Sequence, residues 1–260
     1  MDLDEPRRRA DENVIAAFSL VQARLGDPRG GSARFGAVRV VAVGVDVAFY
    51  NPVLALDPAT TPADVHAAIE WVQSRGLPVS VQVRDDLADE VRSAIEELGL
   101  VADEWPTPVM ALEPIPLGPS GSAVAPPADV AIRTGGDELL DDWHAAIESG
   151  TTFRRIFGAT LGRDPRVRLA VAYLDGVPVS AGAAIASGST LGVYAVGTVE
   201  RARRRGIGRA VTWAAIEAGR TAWGSAIAIL QSSEMGLTVY RSMGFEVISH
   251  YTEYDRPKTT

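Results

Sequence analysis

The chain has 260 residues, 47% of them apolar and 22% charged, and it contains no cysteine. That length suits one large domain or two of ordinary size, and the lack of cysteine excludes disulfides, thiolate metal ligands and a cysteine nucleophile. The net charge of −8 argues against a nucleic-acid partner, because a phosphate polymer would be repelled overall.

No apolar run approaches the roughly 20 residues that a membrane span needs. The longest, Val38 to Tyr50, is interrupted by Arg39 and Asp46, so no membrane partner is expected. Met1 to Asn13 is charged and has no apolar core, so no secretory signal is expected. The expected location is the cytoplasm.

In chain order, periodicity predicts a helix over Asp11 to Leu25 and strands over Val38 to Gly44 and Val47 to Leu56. A helix follows at Pro62 to Arg75, a strand at Val79 to Val83, a helix at Leu87 to Leu98 and a strand at Pro108 to Leu112. From Glu113 to Asp129 five prolines alternate with glycine and serine. Proline removes a backbone donor and glycine adds freedom, so neither a helix nor a central strand continues there. The expected organisation is a domain over 1–113, a linker over 114–128 and a second domain over 129–260.

The second half then reads as a strand at Val130 to Thr134 and helices at Asp137 to Ser149 and Thr152 to Leu161. Strands follow at Val167 to Leu174 and Pro178 to Ser187, joined by Asp175-Gly176, and at Thr190 to Val199. A helix at Gly206 to Ala222, a strand at Ala226 to Leu230, a helix at Met235 to Ser242 and a strand at Phe245 to Tyr254 complete it. The expected fold class is α/β, two lobes that are each a mixed, mostly antiparallel sheet flanked by helices. Two landmarks recur about 145 residues apart: Ile95 to Leu100 against Tyr240 to Phe245, and Ala67 to Glu70 against Ala214 to Glu217. They favour a tandem duplication over two unrelated α/β halves.

The segment with chemical content runs from Val196 to Arg209. A strand ends there, a loop with Gly206 and Gly208 follows, and a helix begins. The first turn of a helix leaves N–H groups unpaired and its dipole favours anions, so a diphosphate suits the position. Glycine lets an anion approach the backbone. Arg201, Arg203, Arg204, Arg205 and Arg209 crowd the same loop in an otherwise acidic chain, either as an anion site or as a solvated basic helix start. Downstream, a strand, the small polar residues Ser232 and Ser233, and a helix end in Tyr240-Arg-Ser-Met-Gly244-Phe245.

The order strand, Arg203-x-x-Gly206-x-Gly208, helix, strand, helix, Tyr240-x-x-x-Gly244-Phe245 resembles the two acyl-CoA motifs of the GNAT acyltransferase superfamily, in detail from Thr190 to Phe245. The resemblance implies acetyl-CoA as cosubstrate and no metal. It implies a diphosphate held by the amides of Arg204, Arg205, Gly206, Ile207, Gly208 and Arg209, with Arg203 at the first motif position. The main chain of Val196, Gly197 and Thr198 would pair with the pantetheine arm and supply an oxyanion donor. Ser233 stands where the family often has asparagine touching CoA, and Glu200 where proline often follows the strand. Tyr240 stands at the place of the general acid; a phenol is protonated at neutral pH and can donate to a leaving thiolate.

The base is not marked. Glu148 is the candidate retained, with His144 and Glu200 weighed beside it, each of which also reads as a surface side chain. The first half offers Asp57 to Pro62 opposite the Arg-Gly loop and Ile95 opposite Tyr240. The implied picture is therefore a degenerate first copy that shapes an acceptor cleft, with Trp105, Phe49 and Tyr50 as candidate lining. The implied activity is N-acylation by direct attack in a ternary complex. The alternative is a CoA-binding sensor or scaffold without turnover. The expected partner is a small-molecule or protein amine, and the expected assembly a monomer or homodimer.

Overall fold

A computed structural model of the chain describes residues 3–116, 125–158 and 161–257. Pro119, Gly121 and the rest of 117–124 lie outside these residues, and so do Ala159 and Thr160 of the helix expected over Thr152 to Leu161. The chain divides into two units: Val14–Val109 with Ile248–Thr260, and Met110–Val247 with Met1–Asn13. Each unit therefore contains a piece of sequence from the opposite end of the chain.

The first unit begins within α1 (Asp4–Leu25). Strands β1 (Gly31–Phe35), β2 (Val38–Ala42) and β3 (Pro52–Ala55) form an antiparallel run. Helix α2 (Pro62–Gln73) then crosses over to β4 (Ser80–Arg84), which lies parallel to β3. Helix α3 (Asp89–Glu97) and the two-residue β5 (Val101–Ala102) follow. Strand β6 (Thr107–Leu112) carries the chain out of the unit. α2 buries Val65, Ala68, Ile69 and Val72 against Val38, Val40, Val53, Val81 and Val83 of the sheet. Full burial of one such side chain is worth about 1.5–3 kcal/mol.

The strand expected over Val47 to Leu56 is instead a short 3-10 turn at Ala48–Tyr50 followed by β3. Buried Asn51 is the reason. Its side chain accepts from the Gly44 amide and donates to the carbonyls of Val45, Val47 and Pro78, which folds the chain back on itself. Phe49 packs beside Phe18 and edge-on to Tyr50 within this unit, with ring centroids 5.6 and 5.2 Å apart. Trp105 is exposed.

The second unit runs β7 (Val130–Gly135), a 3-10 turn at Asp137–Leu139, α4 (Leu140–Ala146), α5 (Thr151–Ile156), β8 (Val167–Leu174), β9 (Val177–Ser187) and β10 (Thr190–Thr198). It continues with α6 (Ile207–Trp223), β11 (Ile227–Gln231), α7 (Glu234–Ser242) and the start of β12 (Glu246–Asp255). β7 to β10 are antiparallel neighbours, and β11 pairs parallel with β10. α6 buries Ile207, Val211, Trp213, Ala215 and Ile216 in a core shared with Leu191, Val193, Ala228 and Leu230. Met110 and Leu112, from before the expected linker, and Ile115, from its start, belong to the same core. In return, Tyr251 to Tyr254 of β12 pair with β4 in the first unit.

The architecture is a mixed α/β sheet flanked by helices, as the periodicity predicts. In each unit an antiparallel pair, a helical crossover and a parallel strand follow in the same order: β2-β3-α2-β4 and β9-β10-α6-β11. Among the described residues, no helix is long and apolar enough to cross a membrane.

Candidate functional site

Strand β10 changes partners along its length. Its parallel ladder with β11 ends at Val193–Leu230, while its antiparallel ladder with β9 continues to Thr198–Ser180. Between Tyr194 and Gly197 the register shifts by a bulge, and Ala195 takes a left-handed φ of 51°. Such an extra residue bends a strand and ends pairing on one side. Beyond the bulge, Thr198 occupies a non-hydrogen-bonded position opposite Ser180, because Val199 donates to Val179 one step further on. Its backbone groups therefore face the β11 side. There the Arg203 guanidinium donates to the Thr198 carbonyl at 3.0 Å.

The loop after β10 alternates handedness. Arg204 has φ 62° and Gly206 has φ 77°. Residues of alternating handedness turn successive N–H groups toward one concave side. Gly206 caps α6 without any side-chain hydrogen bond, and no acidic residue stands in the first turn. The N–H groups at this helix start are thus left to an external anion or to solvent. Gly208 serves packing: a Cβ there would sit 3.2 Å from Thr198 Oγ1. A second fixing point comes from β9. Buried Ser180 donates to the Gly197 carbonyl at 2.7 Å and shares a 2.8 Å hydrogen bond with the Thr198 hydroxyl.

These elements surround a cavity of about 680 Å³ lined by Val196, Gly197, Thr198, Arg203, Arg204, Gly206, Ile207, Gly208 and Arg209. Its far wall is α7, with Ser233, Met235, Gly236, Val239 and Tyr240. Met235 is 83% exposed, a large apolar side chain kept at the cavity rim. The Ser233 hydroxyl accepts from the Gly236 amide and caps α7. At the other end of α7, the Gly244 amide donates to the Arg241 carbonyl and the Phe245 amide to the Tyr240 carbonyl, with Gly244 left-handed at φ 93°. This is a Schellman stop, and it brings Phe245 back against the Tyr240 ring, centroids 6.0 Å apart. The Tyr-x-x-x-Gly-Phe spacing is therefore a helix terminus that fixes the tyrosine. Burial pushes the Tyr240 phenol above its ordinary pKa, with the Thr212 hydroxyl pulling partly back, so the group stays protonated at neutral pH.

Two expected residues are not brought to this cavity. Arg205 turns its guanidinium to Asp129, 2.6 Å away. Glu148 is exposed, with a left-handed φ of 52°, at the end of α4. Its neighbour Ile147 does reach β10: a Cβ on Gly197 would lie 2.9 Å from Ile147 Cγ2. Glu200 is exposed on a 3-10 turn. His144 is buried, and both its nitrogens are engaged, Nε2 at 2.9 Å from the Phe157 carbonyl and Nδ1 at 3.0 Å from the Ser149 hydroxyl. A carbonyl only accepts, so Nε2 carries the proton and Nδ1 accepts from Ser149.

Sequence reasoning missed Ser180, Thr212 and Gly236. Hydroxyls on apolar strands and helices, and a glycine inside a short helix, carry no pattern of their own; only their facing partners give them a role.

Residues 130–223 match the model of the acetyltransferase (GNAT) domain. The match spans β7 to α6 and stops short of α7. The fold is shared with a GCN5-related N-acetyltransferase from Kribbella flavida, 21% identical, covering 96% of this chain and 96% of that one at a TM-score of 0.69. A GCN5-related N-acetyltransferase from Sphaerobacter thermophilus is also 21% identical, covering 86% of this chain and 78% of that one, with a TM-score of 0.62. A tandem GNAT protein from the clavulanic acid biosynthesis pathway is 14% identical over 92% of this chain and 89% of its own, with a TM-score of 0.62. No curated protein matches the sequence.

Proposed function

We propose that the chain is an N-acetyltransferase that takes its acyl group from acetyl-CoA and passes it to an amine, using the cavity of the second unit. The observation that carries this reading is the gap left where β10 parts from β11 at Val193–Leu230, set against an uncapped α6 start. A phosphorylated, extended donor fits both: strand main chain for an amide-bearing arm, helix amides and Gly206 for a diphosphate. Bound there, the donor supplies an activated acyl thioester.

The chain's own groups then have distinct tasks. Arg203, Arg204 and Arg209 supply positive charge around the helix start. Ser180 and Arg203 hold the backbone of Gly197 and Thr198 in place, so that strand amides near the bulge are preorganised toward developing negative charge. Tyr240 supplies the proton. As the nitrogen–carbon bond forms and the carbon–sulfur bond breaks, the proton that nitrogen loses is balanced by the one that sulfur gains. Glu148 remains the proposed base only by way of solvent, given its exposure.

The first unit is proposed to be a degenerate copy of the same fold that holds no CoA. Its equivalent parallel pair stays closed to the last residue of β3, at Ala55–Val83. Its crossover helix is already capped by Thr61 and Asp64, and Pro62 removes one amide. The tandem arrangement named for the clavulanic acid pathway protein supports the same picture.

The test is Tyr240→Phe. Hydroxylamine serves as a small amine that is neutral at pH 7, and free CoA thiol is followed in single turnovers above the uncatalysed background. Acetyl-CoA affinity should stay near the parent value while the rate falls about 10²–10⁴-fold, the usual worth of general acid catalysis. Parent-like single-turnover rates would remove Tyr240 from the chemistry.

A further inference from the structure

Gly236 stands in the first turn of α7, four residues before Tyr240. Side chains on a helix lean toward its N-terminus, so a residue covers the surface over the preceding turn. Tyr240 follows this rule. An ideal Cβ built on Gly236 would lie 2.8 Å from Tyr240 Cε2 and 3.1 Å from Ser232 Oγ. A serine hydroxyl can rotate away from such a contact. The tyrosine ring has less room: Phe245 stands beside it and the Schellman stop fixes the backbone that carries it. The φ of Gly236 is not in the left-handed region, so backbone freedom does not explain the glycine. Glycine also weakens a helix relative to alanine. The residue is conformationally unnecessary and locally unfavourable, and its missing side chain leaves room for the ring at a position that also lines the cavity.

We propose that Gly236 is a positioning residue for Tyr240: by lacking a Cβ it lets the phenol lie flat against the first turn of α7, with its hydroxyl at the cavity. The opposite side of the cavity confines the same ring. Thr212 on α6 lines it too, and its hydroxyl is anchored by donation to the Gly208 carbonyl at 2.8 Å. The phenol is held between a turn without a side chain and the Thr212 side chain. This rests on the reading of Tyr240 as the proton donor.

Gly236→Ala tests it in two ways. In stability, alanine should lower the melting temperature of the parent chain, because the ring must move. In a Tyr240→Ala background the sign should reverse to a rise of about 1–3 °C, since only the helix preference is left. In catalysis, with acetyl-CoA and hydroxylamine, Gly236→Ala should cut the single-turnover rate about 10–100-fold, the scale of a displacement near 1 Å. In a Tyr240→Phe background the same change should cost less than about threefold, because the two substitutions act on one proton. A purely structural glycine would give additive rate losses. If Gly236→Ala raised the melting temperature equally in both backgrounds, or left the rate at the parent value while Tyr240→Phe lowered it, the inference would be overturned. If Tyr240→Phe itself turned over like the parent, the reading beneath it would fail, whereas the stability arm would still report on the ring. The stability arm needs no acceptor.

Discussion

Gly206 and the arginines around it divide the work of the anion loop unequally. Gly206 is left-handed at φ 77°, and a Cβ on it would have Arg209 Nη2 as its nearest neighbour, 3.9 Å away, so the constraint is conformational and not steric crowding. Placing a branched residue there costs about 1–2 kcal/mol of backbone strain and puts a side chain where an anion would approach. The charge, in contrast, is shared among several guanidiniums. Gly206→Val should weaken acetyl-CoA binding more than Arg203→Ala, measured by calorimetry. The reverse order would contradict this account of the loop. His144 offers a separate residue-scale test. Burial holds its pKa below the ordinary 6.5, although the Phe157 carbonyl pulls it back in part. A base whose folded-state pKa is depressed gives stability that is present above the unfolded value and lost as pH falls through the folded one. The melting temperature should therefore decline below about pH 6.5, and His144→Gln should flatten that acid limb. Equal slopes in the two proteins would assign the decline to other groups.

At the scale of elements, helix α1 shows what periodicity alone leaves out. Apolar spacing predicts a start at Asp11, yet α1 begins at Asp4. Its first turns are charged, and pairs such as Arg9–Glu5 support an exposed helix through neighbours four residues apart. Along the same helix, Asn13 is fully buried in the second unit. Its side-chain oxygen accepts from the Tyr194 hydroxyl at 2.5 Å and its amide donates to Thr190 Oγ1 at 3.0 Å. Gly192 makes room for this network, since a Cβ there would overlap Asn13 and Tyr194. Asn13→Ala strands the buried Tyr194 hydroxyl and removes a donor to Thr190 Oγ1, which keeps its own bond to the Ser187 carbonyl. It should cost about 1–3 kcal/mol, read as a lower urea midpoint at unchanged slope; a midpoint equal to the parent's would show that the network contributes nothing. Strand β1 escaped notice for a different reason. Gly31-Ser-Ala-Arg-Phe35 has only two large side chains and alternates between exposed and half-buried positions, so its pairing with β2 supplies what its composition does not.

For the molecule as a whole, the β-α-β order of both halves, the Arg-Gly loop and the tyrosine terminus were legible, because each is written in contiguous residues. The crossing of segments between units was not. Met110 and Leu112 look like the end of the first half, and Ile115 like linker, but all three join the core of the second unit, while Tyr251 to Tyr254 look like the end of the second half and pair with β4. Nothing local in a strand tells it which unit to join; register and burial decide that only once its neighbours exist. The two units also differ where ligand binding is concerned. β3 ends with its β4 ladder and α2 is capped by its own side chains, whereas β10 runs on to Thr198 beyond its β11 ladder and α6 starts without a side-chain cap. The account therefore stands most directly on a calorimetric titration of the intact chain with acetyl-CoA, run beside Gly206→Val. It predicts one site per chain, lost or strongly weakened in the variant. No binding, two equal sites per chain, or a site indifferent to Gly206→Val would contradict it.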